Sequence, residues 1–151
     1  MTFNGQFEVA APRDYVYGFL ADPRKFAPCL PTYDGLQMRD EKTAEVSVRI
    51  GVGKIRGKAI IHLALKDETP PGHAAYDGKG KIMGSAFNMA TSFDLADTAD
   101  GGTRVQWSGD LRMFGALVAL AGGLIKPIAR KDIEKLVSAI QSELNRGPLR
   151  A

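Results

Sequence analysis

Apolar and polar residues alternate over residues 3–9, the period of a strand with one buried face. Pro12 then opens a stretch in which the apolar residues share one helical face, and the Asp22-Pro23 pair ends it. A second short helix is predicted around Arg24 to Ala27. The chain therefore begins with one strand followed by two short helices.

Residues 33–111 are strand-like throughout. Polar or Gly/Pro-rich turn segments interrupt them at 39–42, 70–72 and 97–102. This pattern predicts about six strands, which gives about seven with the first. Since successive strands are joined by short turns, we expect an antiparallel sheet.

The C-terminal third changes to a helical period. Its apolar residues recur at i, i+3, i+4, i+7 and i+11, and charged residues take the opposite face. These apolar residues are Ile133, Leu136, Val137, Ile140 and Leu144. The pattern predicts a long amphipathic helix from about Ala129, and the same spacing continues upstream with a break or bend near Gly122-Gly123 and Pro127. The last strand is expected to end near Leu111. The order of elements predicts an α+β fold in which the sheet curves around this helix.

An uncharged apolar run occupies residues 113–125. A helix needs about 20 apolar residues to cross a bilayer, so this run is too short to span one. Its length suits a buried helix, an interfacial segment or the rim of a cavity.

Composition narrows the class of protein. The 151 residues fit one domain, 1–151, and the single cysteine, Cys29, excludes an internal disulfide. The N-terminus lacks the pattern of a secretory signal, which predicts a cytoplasmic protein. A net charge of +3 is compatible with an anionic membrane surface but falls short of the basic stripe of a nucleic-acid binder, so no nucleic-acid partner is expected.

Two glycine-rich segments, 51–57 and 78–84, resemble each other. Neither has the glycine order of a dinucleotide-binding loop nor the Gly-Lys-Ser/Thr ending of a P-loop, and both lie in strand-like sequence. Glycines inside strands mark bends or the close approach of another group. The segments therefore predict a strongly curved sheet.

Candidate catalytic residues are few. His62 lies in a strand-like run and His73 in a turn, where histidines are usually hydrogen-bonded surface groups. Asp77 and Asp110 would act as acid or base only if they pointed into an apolar cavity, because burial would raise the pKa of either carboxyl. No spacing of histidine, cysteine or acidic residues indicates a metal site. We expect no catalytic residue and no metal.

Several motifs together resemble a known family. They are FEVAAP (7–12), LADP (20–23), CLP (29–31), TRVQW (103–107) and the Gly115-containing apolar run before the last helix. In this order they resemble the CoxG family, the CoxG subunits of the aerobic molybdenum carbon monoxide dehydrogenases, which belongs to the START-like (SRPBCC), helix-grip superfamily. Thr32 departs from the glycine that the family usually has after Cys-Leu-Pro, and the chain lacks the C-terminal membrane-associating tail of many relatives.

The resemblance implies a curved antiparallel sheet gripping a C-terminal helix around a hydrophobic cavity. The expected ligand-binding residues are aromatic, Met and Leu side chains: Phe19, Phe26, Leu30, Tyr33, Met38, Tyr76, Met83, Phe87, Met89, Trp107, Met113, Phe114, Leu117 and Leu124. Met side chains are flexible and adapt to a flat apolar ligand. For any one of these residues, packing in the core is the alternative.

The first functional hypothesis is a non-enzymatic carrier of an apolar molecule, such as a menaquinone-like or ubiquinone-like quinone, with no covalent cofactor. The resemblance suggests a molybdenum hydroxylase of the carbon monoxide dehydrogenase type as its partner, with peripheral contact at the inner face of the cell membrane. The expected membrane-contact residues are Leu117, Leu120, Leu124, Lys126 and Arg130. The alternatives are a polyketide cyclase or hydrolase of the same superfamily, and an adaptor for dehydrogenase assembly that takes up no ligand.

Overall fold

The computed structural model describes residues 1–52, 55–82 and 84–147, without the side chains of residues 50–52, 55, 117 and 120–122. In chain order its elements are β1 (Thr2–Val9), α1 (Arg13–Leu20), α2 (Pro23–Phe26), a 3₁₀ turn (Ala27–Cys29), β2 (Tyr33–Met38), β3 (Thr43–Val52), β4 (Ile55–Thr69), β5 (His73–Ile82), β6 (Ser85–Asp97), β7 (Thr103–Phe114) and α3 (Ala116–Arg146). The predicted strand, two short helices, six further strands and terminal helix are confirmed.

All seven strands form one antiparallel sheet in the order β1-β7-β6-β5-β4-β3-β2. The sheet is open, because β1 and β2 are edge strands that do not pair with each other. Helix α3 packs on one face of the sheet and contacts β1, β3, β6 and β7. The α+β arrangement expected from the sequence, a sheet around a C-terminal helix, is confirmed.

Alternation along each strand gives the sheet an inner face towards α3 and an outer face towards solvent. Val46 and Val105 are almost completely buried on the inner face, and Leu144 of α3 is buried with them. Helix α1 adds Val16 and Phe19 to this core. The Thr103 hydroxyl donates a hydrogen bond to the Ala11 carbonyl (2.8 Å), which holds the segment before α1 against β7.

The boundary between β7 and α3 differs from the sequence prediction. Strand β7 continues past Leu111 to Phe114 because its last residues still pair with β6. Helix α3 begins at Ala116 rather than near Ala129 and passes through Pro127. Gly115, with a φ of 108°, makes the sharp change from strand to helix that other residues rarely adopt. The apolar run is therefore one strand end and the first half of a helix.

The two halves of α3 differ in how they are held. In the second half, the Gln141 side chain donates to the Glu8 carbonyl and the Asn145 side chain accepts from the Ala10 amide, both at 2.9 Å. In the first half Val118 and Leu124 are 38% and 54% exposed. The second half is thus fastened to the edge of β1, whereas part of the first half presents apolar side chains to solvent.

Candidate ligand-binding site

The centre of the inner face is an apolar surface built by strand register. Cross-strand partners share a face, so the register aligns side chains in rows across β2 to β7. One row consists of Met38, Ala44, Leu63, Gly78, Met89 and Leu111, and the next of Leu36, Val46, Ile61, Gly80, Phe87 and Met113. These rows bring together four of the residues predicted from the sequence: Met38, Phe87, Met89 and Met113.

Glycines make room for the large side chains of this surface. A Cβ on Gly78 would lie 2.6 Å from the Met89 side chain, and one on Gly80 would lie 2.8 Å from the Phe87 ring. In β1, a Cβ on Gly5 would lie 2.9 Å from the Trp107 indole. The close-approach interpretation of the strand glycines is therefore confirmed for Gly78 and Gly80, which lie under neighbouring side chains.

The apolar rows are only partly covered. Their members Leu36, Met38, Ile61, Met89, Leu111 and Met113 are all half-buried. At the other end of the sheet, Phe93, Leu95 and Val105 are buried. A packed core would bury both regions alike, so the central rows have room for a further apolar group between the sheet and the first half of α3.

The short helices form a second wall. The rings of Phe26 and Tyr76 meet edge to face at 5.3 Å, with Leu30 packed against the same core. The Tyr76 hydroxyl donates to the Leu20 carbonyl (2.9 Å), and burial raises the pKa of Tyr76 far above its usual value. Tyr76 is therefore neutral at any physiological pH. Phe19 is buried in the core of α1.

A cleft of about 530 Å³ lies between β1 and the middle of α3. Phe3, Trp107, Ile133 and Val137 line it, and Arg130 stands with its guanidinium 6.0 Å from the centre of the Phe3 ring. The cleft thus exposes the half-buried Trp107 to a space bordered by a cation.

Several predicted site residues lie elsewhere. Phe114 is the neighbour of Met113 in a strand, so it points to the outer face, where it is 52% exposed; its assignment to the inner site was wrong. Tyr33, at the start of β2, and Leu124 are exposed. Met83 lies outside the described residues.

The side chains of Leu117 and Leu120, both predicted ligand or membrane contacts, also lie outside the described part of the chain. Lys126 and Arg130 are accessible on α3, as membrane contact would require.

The candidate acids and bases lie on the outside of the molecule. Asp77 pairs with Lys66 at 2.9 Å, and Asp110 is 3.3 Å from Arg112, both on the outer face. His73 lies at the surface, 2.7 Å from Asp94. His62 lies on the outer face, in the same row as Lys79. None of the four groups singled out from the sequence reaches the inner face.

The inner face has few titratable groups in the described ranges. Cys29 is half-buried, and burial raises the pKa of its thiol, which disfavours the reactive thiolate. Within residues 1–52, 55–82 and 84–147, no three His, Cys, Asp or Glu side chains come together as a metal site. The surface is suited to holding an apolar molecule by contact.

Sequence reasoning missed part of this surface. Leu36, Ile61 and Leu111 belong to the half-buried rows, and Phe3 and Arg130 border the cleft. Their residue types are ordinary for strands and helices. Strand parity is the signal that could have found the strand residues, because residues two apart in a strand share a face.

Solved structures resemble this chain over nearly its whole length. A conserved protein from Geobacillus kaustophilus matches with a TM-score of 0.85 at 21% identity, covering 97% of this chain and 96% of that one. A START superfamily protein from Mycobacterium smegmatis matches with 0.72 at 14% identity, covering 96% and 97%. The Zhui aromatase/cyclase from a Streptomyces species matches with 0.73 at 16% identity, covering 97% and 94%. The fold is therefore START-like.

The family is narrower than the fold. A profile of the CoxG family of carbon monoxide dehydrogenase subunits matches residues 5–145. The chain belongs to the CoxG family. A search of the curated proteins found no match. Among the helices that the structure describes, none is long and apolar enough to cross a membrane.

Proposed function

We propose that this protein is a carrier for an apolar small molecule of the quinone type, which it collects at a membrane surface and delivers to a molybdenum hydroxylase of the carbon monoxide dehydrogenase type. The observation that carries the proposal is the half-buried apolar surface formed by Met38, Met89, Leu111 and Met113. Such a surface is unusual inside a fold whose other end is fully packed. It suits an occupant with an apolar body.

The shape of this surface fits a flat ring with a flexible tail. Three methionines border the glycine-containing rows, and their side chains adapt to a flexible ligand. Phe87 and Trp107 add flat aromatic surfaces beside Gly80 and Gly5. The cleft at Trp107 and Arg130 offers one cationic donor to a carbonyl oxygen, which is the polar group of a quinone.

The first half of α3 is the proposed membrane contact. Leu124 and Val118 are exposed there, with Lys126 beside them and Arg130 one turn further on. Exposed apolar side chains enter the lipid interface, and each cation near an anionic surface adds about 1 kcal/mol. The same half of α3 covers the apolar rows only in part, so movement of this segment would admit the ligand.

The proposed partner follows from the family, which is named for a subunit of carbon monoxide dehydrogenase. An accessory protein that supplies or removes a quinone would serve such an enzyme as an electron-acceptor shuttle, without a catalytic residue of its own.

Ligand binding is tested with ubiquinone-1, followed by quenching of Trp107, the single tryptophan. Met113→Asn places an amide on the inner face, and Phe114→Asn places the same amide one residue away on the outer face. Because only the first introduces a polar group into the ligand's contact surface, we expect the Kd to rise at least tenfold for Met113→Asn and less than twofold for Phe114→Asn. Equal effects of the two variants would contradict an inner site.

Native mass spectrometry of the protein purified from its own host distinguishes a carrier from an adaptor. A carrier retains a bound apolar molecule whose mass can be identified. A chain that is empty despite abundant membranes, and that takes up no ubiquinone-1, would instead support the adaptor hypothesis.

Membrane contact is tested by flotation with vesicles containing phosphatidylglycerol. Changing Leu117, Leu120 and Leu124 to serine should abolish flotation, because it removes the apolar anchor and leaves the charges in place. Ile60→Ser, at an exposed apolar residue on the outer face, is the matched control and should float normally. Unchanged flotation of the triple variant would exclude this contact.

A further inference from the structure

The outer face of the sheet carries an apolar and basic patch at one end. Ile60, Lys81, Ala86 and Phe114 form one cross-strand row over β4 to β7. Ile60 is 47% exposed and Phe114 is 52% exposed. From the spacing of strands, these two side chains lie about 14 Å apart. Large apolar residues therefore stand on the solvent side of the sheet, with a lysine between them.

The adjacent row is basic and polar. It contains His62, Lys79, Asn88 and Arg112. A groove of about 840 Å³ runs between the two rows and is lined by Lys58, Ile60, Lys79, Lys81 and Ala86, among others. We call the surface formed by Ile60, Lys79, Lys81, Asn88 and Phe114 the basic face.

Two cations of the basic face have no acid beside them. The direct cross-strand neighbours of Lys79 are His62 and Asn88, and those of Lys81 are Ile60 and Ala86. In the part of the chain that the structure describes, no carboxylate lies within ion-pair distance of either lysine. Lys58 differs, because Asp34 lies 3.3 Å from it.

The other end of the outer face shows what a self-sufficient surface looks like. There Glu8 binds Arg104 at 3.0 Å across β1 and β7. Ser92 and Ser108 hydrogen-bond to each other at 3.1 Å. Each of these four groups has its partner within the chain. The two lysines of the basic face lack such pairing and have exposed apolar side chains beside them.

We propose that the basic face is the surface on which an acidic protein partner docks. The partner's apolar side chain would sit in the groove beside Ile60, and its carboxylates would face Lys79 and Lys81, with Asn88 available for hydrogen bonds. The partner is the dehydrogenase of the proposed function, and this inference rests on that association. It leaves the inner face and α3 free for ligand and membrane.

A protein fits the basic face better than a lipid surface does. The carboxylates of Asp34 and Asp110 stand at the margins of the face, next to Lys58 and Arg112. Anionic headgroups would cover the whole face and would meet these acids. A folded partner can place its own acids over Lys79 and Lys81 alone.

Affinity for the purified molybdenum hydroxylase of the same host, measured by biolayer interferometry, tests the proposal. Lys79→Glu/Lys81→Glu reverses the two unpaired charges. Lys131→Glu/Lys135→Glu makes the same change of net charge on exposed residues of α3. We expect the first pair to weaken binding at least tenfold and the second less than twofold. Phe114→Ser should weaken binding by a similar factor to the first pair.

Each other outcome overturns part of the scheme in a distinguishable way. Wild-type affinity with no difference between the two charge-reversed pairs would overturn the docking surface and leave the association intact. No wild-type binding would overturn both. Loss of flotation on anionic vesicles in Lys79→Glu/Lys81→Glu, with hydroxylase binding unchanged, would assign the face to the membrane. Ubiquinone-1 affinity, measured on every variant, tests the carrier function separately and should remain unchanged.

Discussion

At the scale of single residues, the inner-face glycines are set by space. A Cβ on Gly80 would lie 2.3 Å from the Ile60 carbonyl oxygen, which belongs to the backbone of the next strand and cannot turn aside. We expect Gly80→Ala to lower the free energy of unfolding by about 1–3 kcal/mol, the usual cost of overpacking. Urea denaturation measures it.

Gly18 is the control for that substitution. It lies inside α1, and a Cβ added to it would have nothing within 4 Å. Gly18→Ala should raise the free energy of unfolding by about 0.5–1 kcal/mol, because alanine favours the helix. If both alanines changed stability in the same direction, the close approach at Gly80 would not be the cause.

Two buried tyrosines differ in their hydroxyl groups. The Tyr76 hydroxyl donates to the Leu20 carbonyl, whereas the Tyr17 hydroxyl is buried without a hydrogen-bond partner among the described residues. We expect Tyr76→Phe to cost about 1–2 kcal/mol of stability, and Tyr17→Phe to be neutral or stabilising. Thermal unfolding of the two variants checks this, and a larger loss in Tyr17→Phe would contradict it.

Tyr76 also predicts a dependence of stability on alkaline pH. Burial raises the pKa of Tyr76 in the folded state, so its contribution is complete below the unfolded pKa of about 10. As the pH rises above that value, the unfolded chain releases this proton and the folded chain retains it, so stability falls by up to about 1.4 kcal/mol per pH unit. Tyr76→Phe should lose less stability between pH 9 and pH 11. Parallel pH curves for wild type and variant would refute this assignment.

Residue parity limits what the sequence can predict about the site. The sequence prediction assigns both Met113 and Phe114 to the cavity, because it ends β7 near Leu111. Once the strand extends to Phe114, adjacent residues must face opposite ways. Met38 and Met89 lie on the inner rows, each within a strand whose alternation is clear.

At the scale of elements, α3 combines two functions in one helix. Its second half is hydrogen-bonded to β1 and the segment after it through Gln141 and Asn145, and it buries Ile140 and Leu144. Its first half lacks this fastening in the described structure, and Pro127 removes one helical hydrogen bond, the one that the Gly123 carbonyl would accept. The helix is thus anchored at one end and lightly held at the other.

Hydrogen exchange should report this difference. We expect amides of residues 118–126 to exchange at least tenfold faster than those of 136–144, because local opening costs less where fewer apolar contacts are lost. Mass spectrometry of peptic fragments measures both segments in one experiment. Uniform protection along α3 would exclude a segment that opens for the ligand.

Asn145→Ala tests the anchored end. It leaves the Ala10 amide without its side-chain acceptor, so we expect a loss of about 1 kcal/mol in the free energy of unfolding. Glu143→Ala, two residues away on the exposed surface, is the control and should change stability by less than about 0.5 kcal/mol.

The strands and short helices are predictable because their signals are local. Alternation marks β1, and Pro12 and the Asp22-Pro23 pair bound α1. The start of α3 is not predictable in this way, since Gly122-Gly123 and Pro127 are helix-weakening residues by their own propensities. The helix continues through them because the missing donor at Pro127 costs one hydrogen bond while the flanking turns remain paired.

At the scale of the whole molecule, the sheet separates two surfaces that face opposite ways. The inner face is apolar and half covered, and the outer face is polar with the basic face at one end. A ligand can therefore enter without displacing a docked partner. The proposed ligand and the proposed acidic partner should bind independently, with less than a twofold effect of either on the affinity of the other.

A ligand that occupies the inner surface must also stabilise the fold. Binding to the folded state alone contributes about 2.7 kcal/mol when the ligand is present at 100 times its Kd. For a chain of this size we expect ubiquinone-1 to raise the Tm by about 5–10 °C at that concentration, since each kcal/mol shifts the Tm by about 2–4 °C. Phe114→Asn should keep this shift, whereas Met113→Asn should lose most of it at the same concentration. A Tm that does not change with ubiquinone-1 would leave the half-buried rows without this ligand and would favour the adaptor.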